Sequence, residues 1–118
     1  MKLSENQIQR AVFKHLRTRG APGIVAFHCP NGGVHQIGRR RGINAGMGVL
    51  SGTSDVICLH KSMFYALELK ADGKKPTAEQ VEFIQNVRNA GGVADCVAGL
   101  APAIEWLERH GLLVGRMS

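Results

Sequence analysis

Apolar positions first recur at helical spacing. Ile8, Ala11, Val12 and Leu16 fall on one stripe, while Arg10, Lys14 and Arg17 share another face. Ser4 and Gln7 form a capping box, with Leu3 and Ile8 as the hydrophobic staple around it, so a helix is expected to start at Glu5. Gly20 and Pro22 end it. The pattern then changes to short, β-branched runs. Ile24 to His28 predicts a strand stopped by Pro30-Asn31-Gly32-Gly33. Val56 to Leu59 and Met63 to Leu69 predict two more strands, and the short His60-Lys61-Ser62 connection makes them an antiparallel hairpin. A turn at Asp72-Gly73-Lys74-Lys75-Pro76 leads to a second capping box, Thr77 with Gln80. The helix it opens is expected to turn Val81, Ile84 and Val87 inward and to stop at Gly91-Gly92. Val93 to Ala98 reads as a fourth strand. Pro102, the apolar set Ile104, Trp106 and Leu107, and Gly111 outline a last helix.

The expected order is thus α-β-β-β-α-β-α, an α/β domain with a mixed central sheet spanning residues 1–118. Composition agrees with a single domain. The chain has 118 residues, 44% of them hydrophobic, enough for a core without disulfide or metal staples. Repeats, low-complexity tracts and an inter-domain linker are absent from the sequence.

Charge narrows the class of partner. Fifteen Lys and Arg against nine Asp and Glu leave a formal charge of +6, which favours a polyanion, nucleic acid first. No run approaches the ~20 apolar residues of a membrane span, and no basic start precedes an apolar signal run. The expectation is a cytoplasmic protein with no membrane partner. Cys29, Cys58 and Cys96 are odd in number and far apart, as reduced thiols are, and Cys58 and Cys96 sit in apolar runs that read as core. Between Pro30 and Ser54 lie seven glycines and the Arg39-Arg40-Arg41 run. A segment this long without periodicity reads as a substrate-facing loop, expected to be disordered without DNA over residues 31–54.

The chemistry gathers at Glu68-Leu69-Lys70. On a strand Glu68 and Lys70 share one face and Leu69 takes the other, which leaves the Leu69 carbonyl beside the carboxylate. If the hairpin pairs, Asp55 at the start of one strand faces Glu68 at the end of the next. Two converging carboxylates and a carbonyl are half of an Mg²⁺ shell, and an ion there would suit phosphodiester hydrolysis with Lys70 orienting water. Plainer readings stand beside this one. Glu-x-Lys is also an ordinary exposed pair on an amphipathic strand, and Asp55 a turn residue. Glu5 can serve only the helix dipole, and Gln80 only its capping box. Arg39, Arg40, Arg41, Lys74 and Lys75 are either solvated loop charges or phosphate contacts. The five histidines and three cysteines lack the paired spacing of a zinc site, and no dinucleotide, Walker-type or nucleophile-elbow motif occurs.

Taken in order, Gly52-x-x-Asp55, Glu68-x-Lys70 and Thr77-x-x-Gln80, with Glu5 in an N-terminal Glu-x-x-Ile-Gln helix and the Pro30-Asn31-Gly32-Gly33 stretch, resemble the virus-type replication-repair nuclease (VRR-NUC) domain of the PD-(D/E)xK superfamily. The resemblance spans roughly residues 3–100. It implies a restriction-endonuclease-like core, α-β-β-β-α-β, and a nuclease in which Asp55, Glu68 and the Leu69 carbonyl hold Mg²⁺ or Mn²⁺. Lys70 would be the catalytic lysine, Glu5 would complete the acidic cluster, and Gln80 would support the site. It further implies a homodimer acting on branched or structured DNA, similar to Holliday-junction resolvases, in a bacterial or phage-infected cell. Ser54 stands before Asp55 where the superfamily pattern has proline. The other readings are a DNA-binding module whose nuclease site is incomplete or unused, and a basic interaction domain.

Overall fold

The computed structural model describes residues 2–30 and 48–115. The Arg39-Arg40-Arg41 run and residues 31–47 of the segment 31–54 expected to be disordered lie outside the described residues; the rest of that segment, residues 48–54, forms a turn with Gly52, Thr53 and Ser54 buried. Helix α1 (Glu5–Arg19) begins where its capping box places it: Gln7 N donates to Ser4 Oγ at 3.2 Å and Ser4 N to Gln7 Oε1 at 2.8 Å. Its buried stripe is Ile8, Val12 and Leu16.

Strand β1 (Val25–Phe27) is shorter than the run Ile24 to His28. Ile24 N closes a turn onto Ala21 O at 3.0 Å, and the His28 ring turns to the Asp55 carbonyl, so neither end continues the ladder. β1 pairs antiparallel with β2 (Val56–His60), which pairs antiparallel with β3 (Met63–Lys70). The hairpin turns at Lys61 and Ser62, both at positive φ, as a two-residue connection that follows the strand twist requires. Helix α2 (Ala78–Asn89) carries the chain over to β4 (Val93–Ala98), which lies parallel to β3 with Glu68 opposite Cys96. The sheet is therefore mixed, in the order β1-β2-β3-β4.

Helix α3 (Leu100–Arg109) starts two residues before Pro102, which sits in the first turn where a missing N–H leaves no intrahelical bond unmade. Together α1 and α3 cover one face of the sheet, where Val56, Cys58, Leu67 and Leu69 pack with Ile8, Val12, Trp106 and Leu107. On the other face α2 packs Phe83 and Ile84 on Ile57, Ala66 and Ala94. Asp95 links both helix layers around the β4 edge, accepting from Trp106 Nε1 at 2.7 Å and from Arg88 Nη2 at 2.6 Å. Among the described residues no helix is long and apolar enough to cross a membrane.

One expectation about α2 is corrected. Val81 points outward and is 42% exposed, while the inward line runs through Gln80, Phe83, Ile84 and Val87. A polar residue holds the inward position of the first turn because it has a polar partner on the sheet, which an apolar-periodicity reading does not see.

Candidate active site

Strand alternation sends Leu67 and Leu69 into the α1/α3 core and Ala66, Glu68 and Lys70 to the face under α2. Glu68 is only 2% exposed and Lys70 8%. Neither is the solvated surface pair that the tripeptide alone would allow. The register pairs Val56 with Leu67, so Asp55, one residue earlier, comes beside Glu68 and Leu69 at the end of β3. Asp55 Oδ2 accepts a hydrogen bond from Leu69 N at 2.9 Å, which fixes this carboxylate to the β3 backbone.

Glu68 is held from two sides. Its Oε2 accepts from Gln80 Nε2 at 3.0 Å and lies 3.8 Å from Lys70 Nζ. Its Oε1 is buried and has no hydrogen-bond partner among the described residues. Burial, first, then the negative charge of neighbouring Asp55 push the Glu68 carboxyl up to about 9 against the opposing pull of Lys70; Glu5 adds to the rise. At neutral pH Glu68 thus keeps a proton that its neighbours make hard to release. A cation placed between the acids would displace that proton and satisfy the orphaned oxygen, so these residues fit a divalent ion.

Of the other expected site residues, Gln80 is in place and does two jobs. Its Oε1 accepts from Thr77 N at 2.8 Å, completing the capping box, while its Nε2 reaches Glu68. Glu5, at the first position of α1, acts on Glu68 through its charge and lines a cleft with Ser4, Asn6, Ala71 and Lys74. Lys74 and Lys75 are exposed in the turn after β3. Among the described residues no three His, Cys, Asp or Glu side chains gather to hold an ion by themselves. A metal here would draw on the two acids, peptide oxygen and solvent.

Three further neighbours surround the site; sequence gave His28 and Cys96 no part in it, and Gly52 only a place in a motif. The ring of His28 bonds the Asp55 carbonyl through Nδ1 at 2.8 Å, linking the end of β1 to the site. Cys96, opposite Glu68, has its thiol pushed up to about 11, by burial first and then by the Glu68 charge. Gly52 is buried against α2, and it is the one of the three with a sequence signal, the Gly-x-x-Asp spacing. Ser54 places a buried hydroxyl without a partner among the described residues.

Comparison with known proteins adds the fold. No family model and no curated protein matches the chain. A solved structure described as a "VRR_NUC domain protein" superposes with a TM-score of 0.72, covering 91% of this chain and 87% of that one at 22% identity. The fold is that of a VRR-NUC domain. In this VRR-NUC fold the acids stand where β2 begins and β3 ends, beside the N-terminus of α2. The VRR-NUC sheet thereby brings Asp55, Glu68, Lys70 and Gln80 together from three separate elements.

Proposed function

We propose that the protein is a VRR-NUC nuclease, a Mg²⁺- or Mn²⁺-dependent endodeoxyribonuclease that hydrolyses phosphodiester bonds in branched or otherwise structured DNA, in the cytoplasm. The observation that carries this reading is the Asp55–Glu68 pair. Two acids are pressed together across β2 and β3, one of them buried with an oxygen lacking a partner, and an ammonium group lies 3.8 Å away. The likeness in fold supports it from a second direction.

Asp55, Glu68 and the Leu69 carbonyl would hold the ion; an all-oxygen set suits a hard cation. When bound, the ion supplies polarisation of the scissile phosphate and a more acidic water. The remaining work falls to the chain. Gln80 holds Glu68 Oε2 and so leaves Oε1 facing the ligand, and the Leu69 amide holds Asp55. Lys70 orients the attacking water and offsets the negative charge that builds on the phosphate. Glu5 adds negative charge that Glu68 feels from the start of α1. Lys74 and Lys75, with Arg39, Arg40 and Arg41, grip backbone phosphates, so binding weakens steeply with salt and shows little sequence preference. A second copy of the chain would give the two sites that symmetric incision of a junction needs. The exposed stripe of Val25, Phe27, Leu59 and Phe64, adjacent in register on one sheet face, is the surface we assign to it.

The test is incubation of a four-way junction and a matched linear duplex with and without Mn²⁺, using wild type, Glu68→Ala and Lys70→Ala. Metal-dependent cutting of the junction by wild type alone is expected. Binding without cleavage would reassign the protein as a DNA-binding module with an unused site, and no binding as a basic interaction domain. Sedimentation of wild type and Leu59→Glu tests the pairing: a dimer that the substitution dissolves is expected, and a wild-type monomer removes the dimer.

A further inference from the structure

The turn before Asp55 touches α2 at one peptide. Gly52 has φ +77°, and a Cβ built on it would lie 2.3 Å from the Glu79 carbonyl oxygen, 2.5 Å from its carbon and 2.9 Å from Gln80 N. All three are backbone atoms, so no side-chain rotation relieves the collision. Thr53 Oγ1 donates to Leu50 O at 2.7 Å and stiffens the turn, while Leu50 and Ser51 line a groove with Glu79, Glu82, Phe83 and Asn86 along the same helix. The peptide that Gly52 meets carries the N–H by which Gln80 bonds Thr77 Oγ1, half of the capping box. The other half holds the Gln80 side chain, whose Nε2 reaches Glu68.

We propose that Gly52 is a positioning residue: by allowing backbone contact between the Asp55 turn and the first turn of α2, it sets the Gln80 amide on Glu68 and keeps the two halves of the site in register. This rests on the reading of Glu68 as the central ligand, but not on any activity of the chain. A methyl group at position 52 displaces the 79–80 peptide, and the displacement passes through the capping box to the amide that orients the carboxyl. Without that donor Glu68 Oε2 keeps only Lys70, 3.8 Å away, and the carboxyl is no longer held in one orientation.

The experiment compares Gly52→Ala with Gly23→Ala in the full metal-free chain. Gly23 shares the strained backbone, φ +81°, but a Cβ there meets nothing within 4 Å. The readout is the side-chain amide resonance pair of Gln80 by ¹H–¹⁵N NMR, with Glu68→Ala marking the position of the unbonded amide. Gly52→Ala is expected to move the pair to the Glu68→Ala position and Gly23→Ala to leave it as in wild type. An unmoved pair in Gly52→Ala overturns the proposal. Should Gly52→Ala fail to fold, Gly52→D-Ala made by ligation decides. It keeps the positive φ and turns the methyl away from Glu79, so a native Gln80 signal supports the collision and a displaced one overturns it. Where wild type cuts DNA, Gly52→Ala is also expected to lower kcat about tenfold or more with KM for DNA unchanged. A wild type that cuts nothing sinks the nuclease reading and leaves the NMR comparison to judge Gly52.

Discussion

The two faces of β3 differ sharply from each other. Leu67 and Leu69 enter a dry core with Ile8, Val12, Trp106 and Leu107, where each added contact lowers the free energy of the fold. Glu68 and Lys70, one residue away, are nearly as buried yet meet a second acid, an amide and an oxygen without a partner. The first face stabilises the strand. The second face costs stability, because charge and unpaired polar atoms are held away from water. The lesson is that one strand serves both needs through its two-residue period: the leucines anchor the backbone tightly enough for the acids to be kept where they are unfavourable.

The largest effect separates the faces outright. Glu68→Gln is expected to keep the fold and reduce metal-dependent cleavage about a thousandfold or more, since an amide oxygen without the carboxylate's negative charge is a far weaker ligand for a divalent cation. Leu67→Ala should do the reverse. It is expected to destabilise by about 2–5 kcal/mol, measured by urea unfolding, with cleavage per folded molecule little changed. A Leu67→Ala protein as stable as wild type would break the division of labour.

A smaller effect sharpens it through pH. Glu68 has its folded value raised to about 9 from 4.5, so between those limits the metal-free folded protein retains a proton that the unfolded chain has released. Protonation thus favours the folded state, and this contribution, complete below pH 4.5, is lost as pH rises through about 9. Glu68→Gln has no such proton to lose and places no second charge beside Asp55. Without metal it is therefore expected to exceed wild type in stability by about 1–3 kcal/mol at pH 8.5, with a smaller gap at pH 5. A gap that narrows toward high pH would place the proton elsewhere.

Much of this contrast was legible in the chain, for reasons of range. Both capping boxes are written in four consecutive residues, and Ser4–Gln7 and Thr77–Gln80 stand as read. Alternation gave the facing of Glu68 and Leu69, and the short connection gave the antiparallel pairing that brings Asp55 over. Alternation does not say whether a face is covered, so burial of Glu68 beneath α2 had to come from the tertiary structure. The parallel register that sets Cys96 opposite Glu68 joins segments more than twenty-five residues apart, with no local signal. Val81 was misplaced because Gln80, not an apolar residue, fixes the rotation of α2. The Gly52 contact is invisible in sequence for a similar reason: glycine marks a conformation, and only the fold supplies the neighbour.

The smallest effect lies at the far end of the hairpin, where neither face is at stake. Lys61 and Ser62 adopt φ of 50° and 67° in the two-residue turn, a left-handed conformation that side chains other than glycine, asparagine and aspartate resist. The combined Lys61→Asn and Ser62→Gly substitutions supply residues suited to that turn, and are expected to stabilise the protein by about 1 kcal/mol in urea unfolding. Because β2 and β3 are already in register from His60–Met63 to Val56–Leu67, the gain should leave the Asp55–Glu68 pair, and any cleavage, unchanged. A turn variant that alters the Gln80 or Glu68 signals would mean that strain at the tip is transmitted along the hairpin, and that the anchoring leucines do not isolate the site.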